Sequence, residues 1–213
     1  MISHRHRCIF VHIPKTGGHS IETVIWPGGR TEDTLWMGFV DEFHNKYQTG
    51  GLQHLHATQI REEVGAEIFD AYFRFSFVRN PWDKAVSQYA YMRTRPDLRR
   101  FLGMGDDDDF ATYLHLIQER LHVQWEPQHA FVCDDDGNLL VDFLGRFETF
   151  DADTRELLAR IKVRIGRRRR RVRSVPHRNK SERSHYRDYY DDETKALVAK
   201  VYERDIELFG YTF

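Results

Sequence analysis

The sequence predicts an α/β fold of three layers, in which helices flank both faces of a central, mostly parallel sheet. Two short apolar segments, residues 8–13 and 72–78, are rich in β-branched and aromatic side chains, as buried parallel strands are. A turn and a helix-like segment follow each of them, and repeated strand–loop–helix units are typical of this class. From the length of 213 residues we expect a single domain over residues 1–213.

Cap residues and apolar spacing indicate where the helices begin and end. Asn80 followed by Pro81 is typical of a helix start, and Gly210 is typical of a helix end. Residues 27–53 and 95–109 show no regular pattern, so we expect loops there. The predicted helices span 19–25, 57–69, 81–93, 110–120, 153–165 and 192–209, and a strand–turn–strand unit spans 131–133 and 139–147.

The composition excludes several classes of protein. With 40% hydrophobic and 31% charged residues, the chain is neither largely disordered nor fibrous. Its two cysteines cannot form a disulfide framework, and no apolar stretch is long enough to span a membrane. We therefore expect a cytoplasmic protein.

Charge is distributed unevenly along the chain. The formal net charge is −1, from 32 Lys and Arg against 33 Asp and Glu, and this balance predicts no nucleic-acid partner. Residues 160–187, however, contain 13 basic residues and one acidic residue. Such a division indicates that one side of the molecule faces a polyanion or a phosphate-rich ligand.

The segment after the first strand has the layout of a phosphate-binding loop. Gly17 and Gly18 allow a ligand to approach the backbone closely, and the following helix directs N–H groups and its positive dipole end towards that point. Lys15 adds a charge, and Thr16 and Ser20 add hydroxyl donors. The pattern is not a Walker A loop, because the lysine precedes the glycines. A simple turn with a surface lysine fits the same spacing.

The segment after the second strand repeats this layout. Arg79 follows the carboxyl end of the strand, where open α/β sheets bind ligands, and Ser87 lies about two helical turns further on. A guanidinium and a hydroxyl that converge in this way suit a phosphate monoester. A surface arginine and a serine at the edge of the core are the alternative.

Together, the two segments resemble the sulfotransferases that use 3′-phosphoadenosine 5′-phosphosulfate (PAPS). The closest likeness is to the carbohydrate branch that includes heparan sulfate 2-O-sulfotransferase and its bacterial relatives. The resemblance lies in FVHIPKTGGHSIE at 10–22 and FSFVRNPWDKAVSQY at 75–89, with further support at 139–148, 177–194 and 205–213. It implies a P-loop-like fold, transfer of a sulfuryl group from PAPS to an acceptor hydroxyl, adenosine 3′,5′-bisphosphate as the product, and no metal.

The resemblance also implies roles for individual residues. It assigns the 5′-phosphosulfate to the first loop and the 3′-phosphate to Arg79 and Ser87, while a later Asn-Lys-Ser stretch closes over the cofactor. The loop residues are Lys15, Thr16, Gly17, Gly18, His19 and Ser20, and the closing stretch comprises Asn179, Lys180 and Ser181, with Arg183 and Tyr186 beside it.

Sulfuryl transfer to a hydroxyl also needs a general base. The segment His54-Leu55-His56 resembles a His-x-His of the heparan 2-O-sulfotransferases, in which the second histidine is the base. The resemblance implies His56 as the base with His54 in support, and Glu22 or another carboxylate is the alternative. Lys15 is the expected partner of the leaving phosphate, whose negative charge grows as the S–O bond breaks.

The acceptor cannot be identified from the residues, and two other functions compete. We expect a hydroxyl-bearing acceptor, a glycan or another small molecule; the arginine-rich run 167–173 suits an anionic one but also fits a solvated loop. A nucleotide kinase shares the strand–loop–helix design but needs a Gly-Lys-Ser/Thr sequence that this loop lacks. A non-catalytic polyanion-binding module could use the run alone, without Lys15, Arg79 and His56.

Overall fold

The sheet has four strands among the residues that the computed structural model describes, which are 1–27, 54–162 and 183–213. The strands are β1 (Ile2–Ser3), β2 (Cys8–Phe10), β3 (Phe73–Val78) and β4 (Phe143–Arg146). Their spatial order follows the chain, with β1 antiparallel to β2 and with β2, β3 and β4 mutually parallel. The helices are α1 (Gly18–Ile25), α2 (Ala57–Val64), α3 (Ala66–Ala71), α4 (Pro81–Met92), α5 (Pro96–Leu102), α6 (Phe110–Leu116), α7 (His129–Val132), α8 (Phe150–Arg160), α9 (Asp192–Val201) and α10 (Glu203–Phe209).

Each face of the sheet has its own apolar core. Ile9 and Val78 belong to a buried cluster that includes residues of α2, α3, α7 and α10. Phe10 and Phe77, their neighbours along the strands, belong to a second cluster that includes residues of α1 and α8. Because successive strand residues point to opposite faces, helices cover both sides of the sheet. The predicted three-layer α/β fold with a mostly parallel sheet is therefore confirmed.

Helix α4 begins directly after β3, as the sequence predicts. The side-chain oxygen of Asn80 accepts hydrogen bonds from the main-chain N–H groups of Trp82 and Asp83, and Pro81 is the first helical residue. This cap satisfies donors that the first turn would otherwise leave unpaired. It fixes the direction in which the chain leaves the carboxyl edge of the sheet.

Two predictions of secondary structure were wrong. Residues 131 and 132, expected as part of a strand, belong to α7, because the Asp205 carboxylate accepts hydrogen bonds from the main-chain N–H groups of Gln128 and His129 and so stabilises the start of a helix. Of the predicted strand–turn–strand unit, the pairing across the turn is present as one antiparallel bridge between Cys133 and Leu139. Residues 95–109, expected as a loop, contain α5, whose Leu98 and Leu102 side chains are buried.

Two predicted helices are each divided in two. The segment 57–69 breaks at Gly65, whose φ of 81° ends α2 before α3 begins. The segment 192–209 breaks at Tyr202, whose backbone is not helical and whose hydroxyl donates a hydrogen bond to the Trp125 carbonyl oxygen at 2.7 Å. Within the described ranges, no helix has the length and apolar character needed to cross a membrane.

Candidate functional site

The loop between β2 and α1 turns sharply at the carboxyl edge of the sheet. Lys15 and Gly17 both have left-handed backbone, with φ values of 67° and 89°, and α1 begins at Gly18. Such a backbone is uncommon for a lysine and is found preferentially at functional sites. The Oγ1 of Thr16 is buried and donates a hydrogen bond to the Ile13 carbonyl oxygen at 2.8 Å, so this hydroxyl proton is engaged within the loop.

A buried group of side chains supports this loop from beneath. Gly18 packs directly on His12, since a Cβ at position 18 would lie 1.9 Å from His12 Nε2. The His12 ring stacks on Phe10, and its Nδ1 lies 2.9 Å from Glu22 Oε1. The Nδ1 of His54 forms a hydrogen bond of 2.8 Å with the His12 carbonyl oxygen. Three segments of the chain therefore meet under the glycines.

Arg79 joins this loop to the end of β3. Its Nη1 donates a hydrogen bond to the Lys15 carbonyl oxygen at 2.9 Å, and its Cζ lies 3.8 Å from the centre of the Phe147 ring. The side-chain amide of Gln128 accepts from Arg79 N at 2.9 Å and donates to Arg79 O at 2.8 Å. The two predicted motifs, 64 residues apart in sequence, thus lie side by side.

The remaining donors of the Arg79 guanidinium face Asp83. Arg79 Nε and Nη2 lie 2.8 and 2.7 Å from Asp83 Oδ2, while Arg183 Nη2 contacts the other oxygen, Oδ1. The side chains of Arg79, Asp83 and Arg183 are only 7%, 17% and 12% exposed. Arg183, predicted to lie beside the closing stretch, therefore reaches the same site as Arg79.

The ammonium group of Lys15 is held over an aromatic ring. Its Nζ lies 4.1 Å from the centre of the Tyr91 ring, a cation–π contact. Burial lowers the pKa of Lys15 to about 7. The positive charges of three neighbours add to this lowering of the pKa: Arg79, Arg183 and Lys84. An incoming anion would stabilise the charged form of this amine.

Lys84 is a second amine in the same region, and unlike the half-buried Lys15 it is fully buried. It lies on α4 with 2% exposure, and its Nζ donates a hydrogen bond to the Glu126 carbonyl oxygen at 3.4 Å. Burial lowers the pKa of Lys84 to about 8, although the negative charges of Asp205 and Glu126 oppose this change. We use the term cationic cluster for the four side chains Lys15, Arg79, Lys84 and Arg183.

His56 lies at the start of α2 and faces a carboxylate. Its Nε2 is 3.1 Å from Glu126 Oε2, and its ring packs edge-on against Phe131. As the N-cap of α2, it donates a main-chain hydrogen bond to Gln59 Oε1 at 2.9 Å. Since the carbonyl oxygen of Glu126 accepts from Lys84, the His56–Glu126 pair borders the cationic cluster.

The other predicted residues lie on α1, on α4 and just before α9. His19 is partly exposed on α1, and its Nδ1 lies 4.0 Å from Glu22 Oε2. Ser20 and Ser87 are buried on α1 and α4, and Tyr186 begins a short 3-10 helix that packs against α4. Among the described residues, no group of three or more His, Cys, Asp and Glu side chains could hold a metal ion. Outside the described residues lie Asn179, Lys180, Ser181 and the arginine-rich run 167–173.

Several residues that contact the predicted site residues were not predicted from the sequence. Asp83 follows Arg79 by four positions at the start of a helix, and this spacing is a readable signal for an ion pair. The other partners carry no local signal, because their contacts join segments that are distant in sequence. They are Lys84, Tyr91, Glu126 and Gln128.

The fold and the cationic cluster define an α/β protein that gathers buried and half-buried cations at the carboxyl edge of a mostly parallel sheet. The chain belongs to the sulfotransferase family, because residues 1–212 match the family model described as "Sulfotransferase family". A protein of Archaeoglobus fulgidus, described only as uncharacterized, is 33% identical over 105 residues, which cover 49% of this chain and 80% of that protein. No solved structure matches the chain. Family membership supports sulfuryl transfer in general, with a sulfate donor and an acceptor.

Proposed function

We propose that the protein is an O-sulfotransferase that moves the sulfuryl group of PAPS to an acceptor hydroxyl by in-line displacement. One observation carries the proposal: the hydrogen bond from Arg79 Nη1 to the Lys15 carbonyl oxygen. It brings together the two motifs that the resemblance assigns to the 3′ and 5′ ends of the donor. Family membership supports the transfer of a sulfuryl group, and the donor, the acceptor class and the base are the substance of the proposal.

The loop fits a ligand that carries a phosphosulfate. The left-handed backbone at Lys15 and Gly17 lets α1 begin directly behind the loop, and the N-terminus of a helix attracts anions. The lowered pKa of Lys15 also indicates an anion site. Burial and neighbouring cations destabilise the charged ammonium, and a bound anion would stabilise it. We assign the 5′-phosphosulfate to this loop, with the residues Lys15, Thr16, Gly17, Gly18, His19 and Ser20.

Arg79 fits the 3′-phosphate. Its guanidinium already makes paired contacts with a carboxylate oxygen of Asp83, and phosphate oxygens accept the same fork of donors. Arg183 reaches the same carboxylate and so supplies a second fork. We assign further contacts with the cofactor to Ser87, Asn179, Lys180, Ser181 and Tyr186.

His56, paired with Glu126, is the proposed base. The carboxylate at 3.1 Å orients the imidazole and stabilises the positive charge that it gains on taking the proton of the acceptor hydroxyl. His54 supports the segment through its bond to His12. Glu22, the alternative carboxylate, is 4% exposed and lies against His12, which makes it less suited.

Lys15 and the N-terminus of α1 would act at the other end of the reaction. PAPS supplies the sulfuryl group and departs as adenosine 3′,5′-bisphosphate, so negative charge grows on the 5′-phosphate. A fixed ammonium and oriented N–H groups stabilise this charge in the transition state. Because the stabilisation is larger there than in the bound ground state, it raises kcat.

The acceptor that we propose is a hydroxyl-bearing small molecule, a glycan in the first place, in the cytoplasm. The support for a glycan is the resemblance of the two motifs to the carbohydrate branch of the family. An anionic glycan would suit the arginine-rich run 167–173, which lies outside the described residues.

Ligand-dependent thermal unfolding tests the donor assignment. At a concentration of 100 times its Kd, adenosine 3′,5′-bisphosphate should stabilise the folded protein by about 2.7 kcal/mol. ATP with Mg²⁺ at the same concentration should stabilise it by much less. A larger increase in Tm with ATP and Mg²⁺ would indicate the nucleotide kinase and overturn the proposal. Stabilisation by heparin alone would indicate the polyanion-binding module. Transfer from radiolabelled PAPS to a panel of glycans, lipids and small alcohols then identifies the acceptor.

A further inference from the structure

Asp83 holds the donor groups of two arginines at the proposed 3′-phosphate site. Its Oδ2 accepts from Arg79 Nε and Nη2, and its Oδ1 accepts from Arg183 Nη2. Each carboxylate oxygen therefore serves a different arginine, and all three side chains are largely withdrawn from water. A phosphate would need the same N–H donors, since arginine binds carboxylates and phosphates with the same fork.

Several contacts other than that with Asp83 hold Arg79 in position. Phe147 stacks on its guanidinium at 3.8 Å, and the Lys15 carbonyl oxygen accepts from its Nη1. Gln128 fixes its main chain through both the N–H and the carbonyl group. None of these contacts involves the Asp83 carboxylate, so Arg79 has supports for its orientation that are independent of the ion pair.

We infer that the Asp83 carboxylate competes with the 3′-phosphate of the nucleotide for the donor groups of Arg79 and Arg183. This competition sets the affinity of the site for the nucleotide and the rate at which the bisphosphate leaves. The inference rests on the proposed function, because it takes Arg79 as the ligand of the 3′-phosphate. A bound phosphate either displaces the carboxylate from the two arginines or lies beside it as a like charge, and both weaken binding. As the product leaves, the carboxylate pairs with the arginines again, which favours dissociation.

Calorimetric titration of the wild type and of Asp83→Asn tests this inference with two ligands. We expect the Kd of adenosine 3′,5′-bisphosphate to fall about tenfold in Asp83→Asn, with a slower dissociation rate in stopped-flow measurements. The Kd of adenosine 5′-phosphate, which lacks the 3′ group, should change by less than about twofold. Unchanged or weaker binding of the bisphosphate by Asp83→Asn overturns the inference.

The wild-type titrations separate the inference from the proposed function. Equal affinity of the wild type for the two nucleotides means that no group recognises the 3′-phosphate, and the assignment of Arg79 then fails. If the wild type prefers the bisphosphate and Asp83→Asn loses that preference, Asp83 orients the arginines, and the inference alone is wrong.

Asp142→Asn is the matched control. Asp142 pairs with Arg74 at 2.7 Å, at the opposite end of β3 from Arg79, so its loss should leave both Kd values unchanged. Asp83→Ser is the second variant, because serine is also accepted in the first turn of a helix. It should tighten bisphosphate binding as Asp83→Asn does. Thermal unfolding without ligand shows which of the two Asp83 variants is folded, and the Kd values of a folded variant are the ones compared with the wild type.

Discussion

Arg79 Nη1 donates a hydrogen bond to the main-chain carbonyl oxygen of Lys15 at 2.9 Å. Arg79, the residue directly after β3, thereby fixes the backbone of the loop after β2, at the residue whose φ is 67°. The contact joins the groups proposed for opposite ends of the nucleotide. A substitution at one end of the donor site should therefore also change the binding of the nucleotide at the other end.

Replacement of Arg79 by lysine should weaken recognition of the 3′-phosphate. Lysine keeps the charge but cannot donate to both the Lys15 carbonyl oxygen and a phosphate through a planar fork. We expect the Kd of adenosine 3′,5′-bisphosphate to rise more than about tenfold and the Kd of adenosine 5′-phosphate to rise less, as loss of a charged hydrogen bond implies. Isothermal titration measures both values.

Arg74→Lys is the matched control for this change. Arg74 lies at the other end of β3 and pairs with Asp142, so both nucleotides should bind Arg74→Lys as they bind the wild type. Equal losses of affinity for the two nucleotides in Arg79→Lys would contradict the assignment of the 3′-phosphate. They would instead mean that Arg79 supports only the loop.

The depressed pKa of Lys15 predicts a pH dependence. In the free protein Lys15 is protonated below pH 7 and loses its charge as the pH rises through its pKa of about 7. The value of kcat/KM for PAPS reports the free protein, so it should decline above that pH by up to about tenfold per pH unit. At saturating PAPS, the bound anion raises the pKa of Lys15, and the decline in kcat should begin at higher pH.

Lys15→Arg removes this titration, because a guanidinium stays protonated throughout the range. The variant should be less active but should lack the decline in kcat/KM that begins near pH 7. Lys84, whose pKa is about 8, should still give a decline at higher pH. Lys200→Arg, an exposed site on α9, should keep the wild-type profile. An unaltered decline in Lys15→Arg would assign the titration to another group.

The elements that carry the two motifs are predictable because their signals are local. Runs of β-branched and aromatic residues, and Asn80 before Pro81, depend on neighbours a few positions away. By contrast, β1 has only two residues, too few to show the alternation of apolar and polar side chains that indicates a strand. Ile2 is placed by pairing with Ile9 of β2 and by a hydrogen bond from Trp26 Nε1 to its carbonyl oxygen at 2.9 Å. Contacts of this kind exist only once the chain has folded.

The same distinction explains which site residues the sequence reveals. Lys15 and Arg79 are visible because each follows a recognisable strand and precedes a helix. Glu126 lies on no predicted element, and its contact with His56 spans 70 positions of the sequence. Its carboxylate becomes relevant only when α2 packs beside α7, which places these two segments together. The carboxylate that pairs with His56 can therefore be found in the structure but not from a pattern in the sequence.

Loss of the proposed base should affect chemistry and spare nucleotide binding. His56→Ala should lower kcat by about 10²–10⁴-fold, the usual contribution of a positioned base, with the Kd of adenosine 3′,5′-bisphosphate unchanged. Glu126→Gln keeps the shape of the partner but removes its charge, so kcat should fall by a smaller factor. Rates of sulfuryl transfer at saturating substrates give the first quantity and calorimetry the second.

The double variant tests whether the two residues act together. If they form one unit, the loss in His56→Ala with Glu126→Gln should resemble that of His56→Ala alone. Losses that multiply would mean independent roles. Full activity of His56→Ala would move the base to Glu22 or to another carboxylate.

Gly18→Ala should destabilise the loop on which the proposed function depends. A Cβ at position 18 would lie 1.9 Å from His12 Nε2, so the imidazole must move. It has little freedom to do so, because Phe10 stacks on one side, His54 lies 4.5 Å away between ring centres, and Glu22 is 2.9 Å from its Nδ1. Overpacking of this kind costs about 1–3 kcal/mol of unfolding free energy, measurable by urea denaturation.

A double-mutant cycle attributes that cost to His12. In a His12→Ala background the obstructing ring is absent, so Gly18→Ala should cost much less there than in the wild type. Gly105→Ala is the matched control: its added Cβ would meet Asp108 at an ordinary 3.5 Å, and the free energy of unfolding should change little. An equal cost of Gly18→Ala in both backgrounds would show that the helix start itself, rather than contact with His12, requires glycine. If His12 is the cause, its ring sets how closely the start of α1 approaches β2, and nucleotide affinity should fall together with stability.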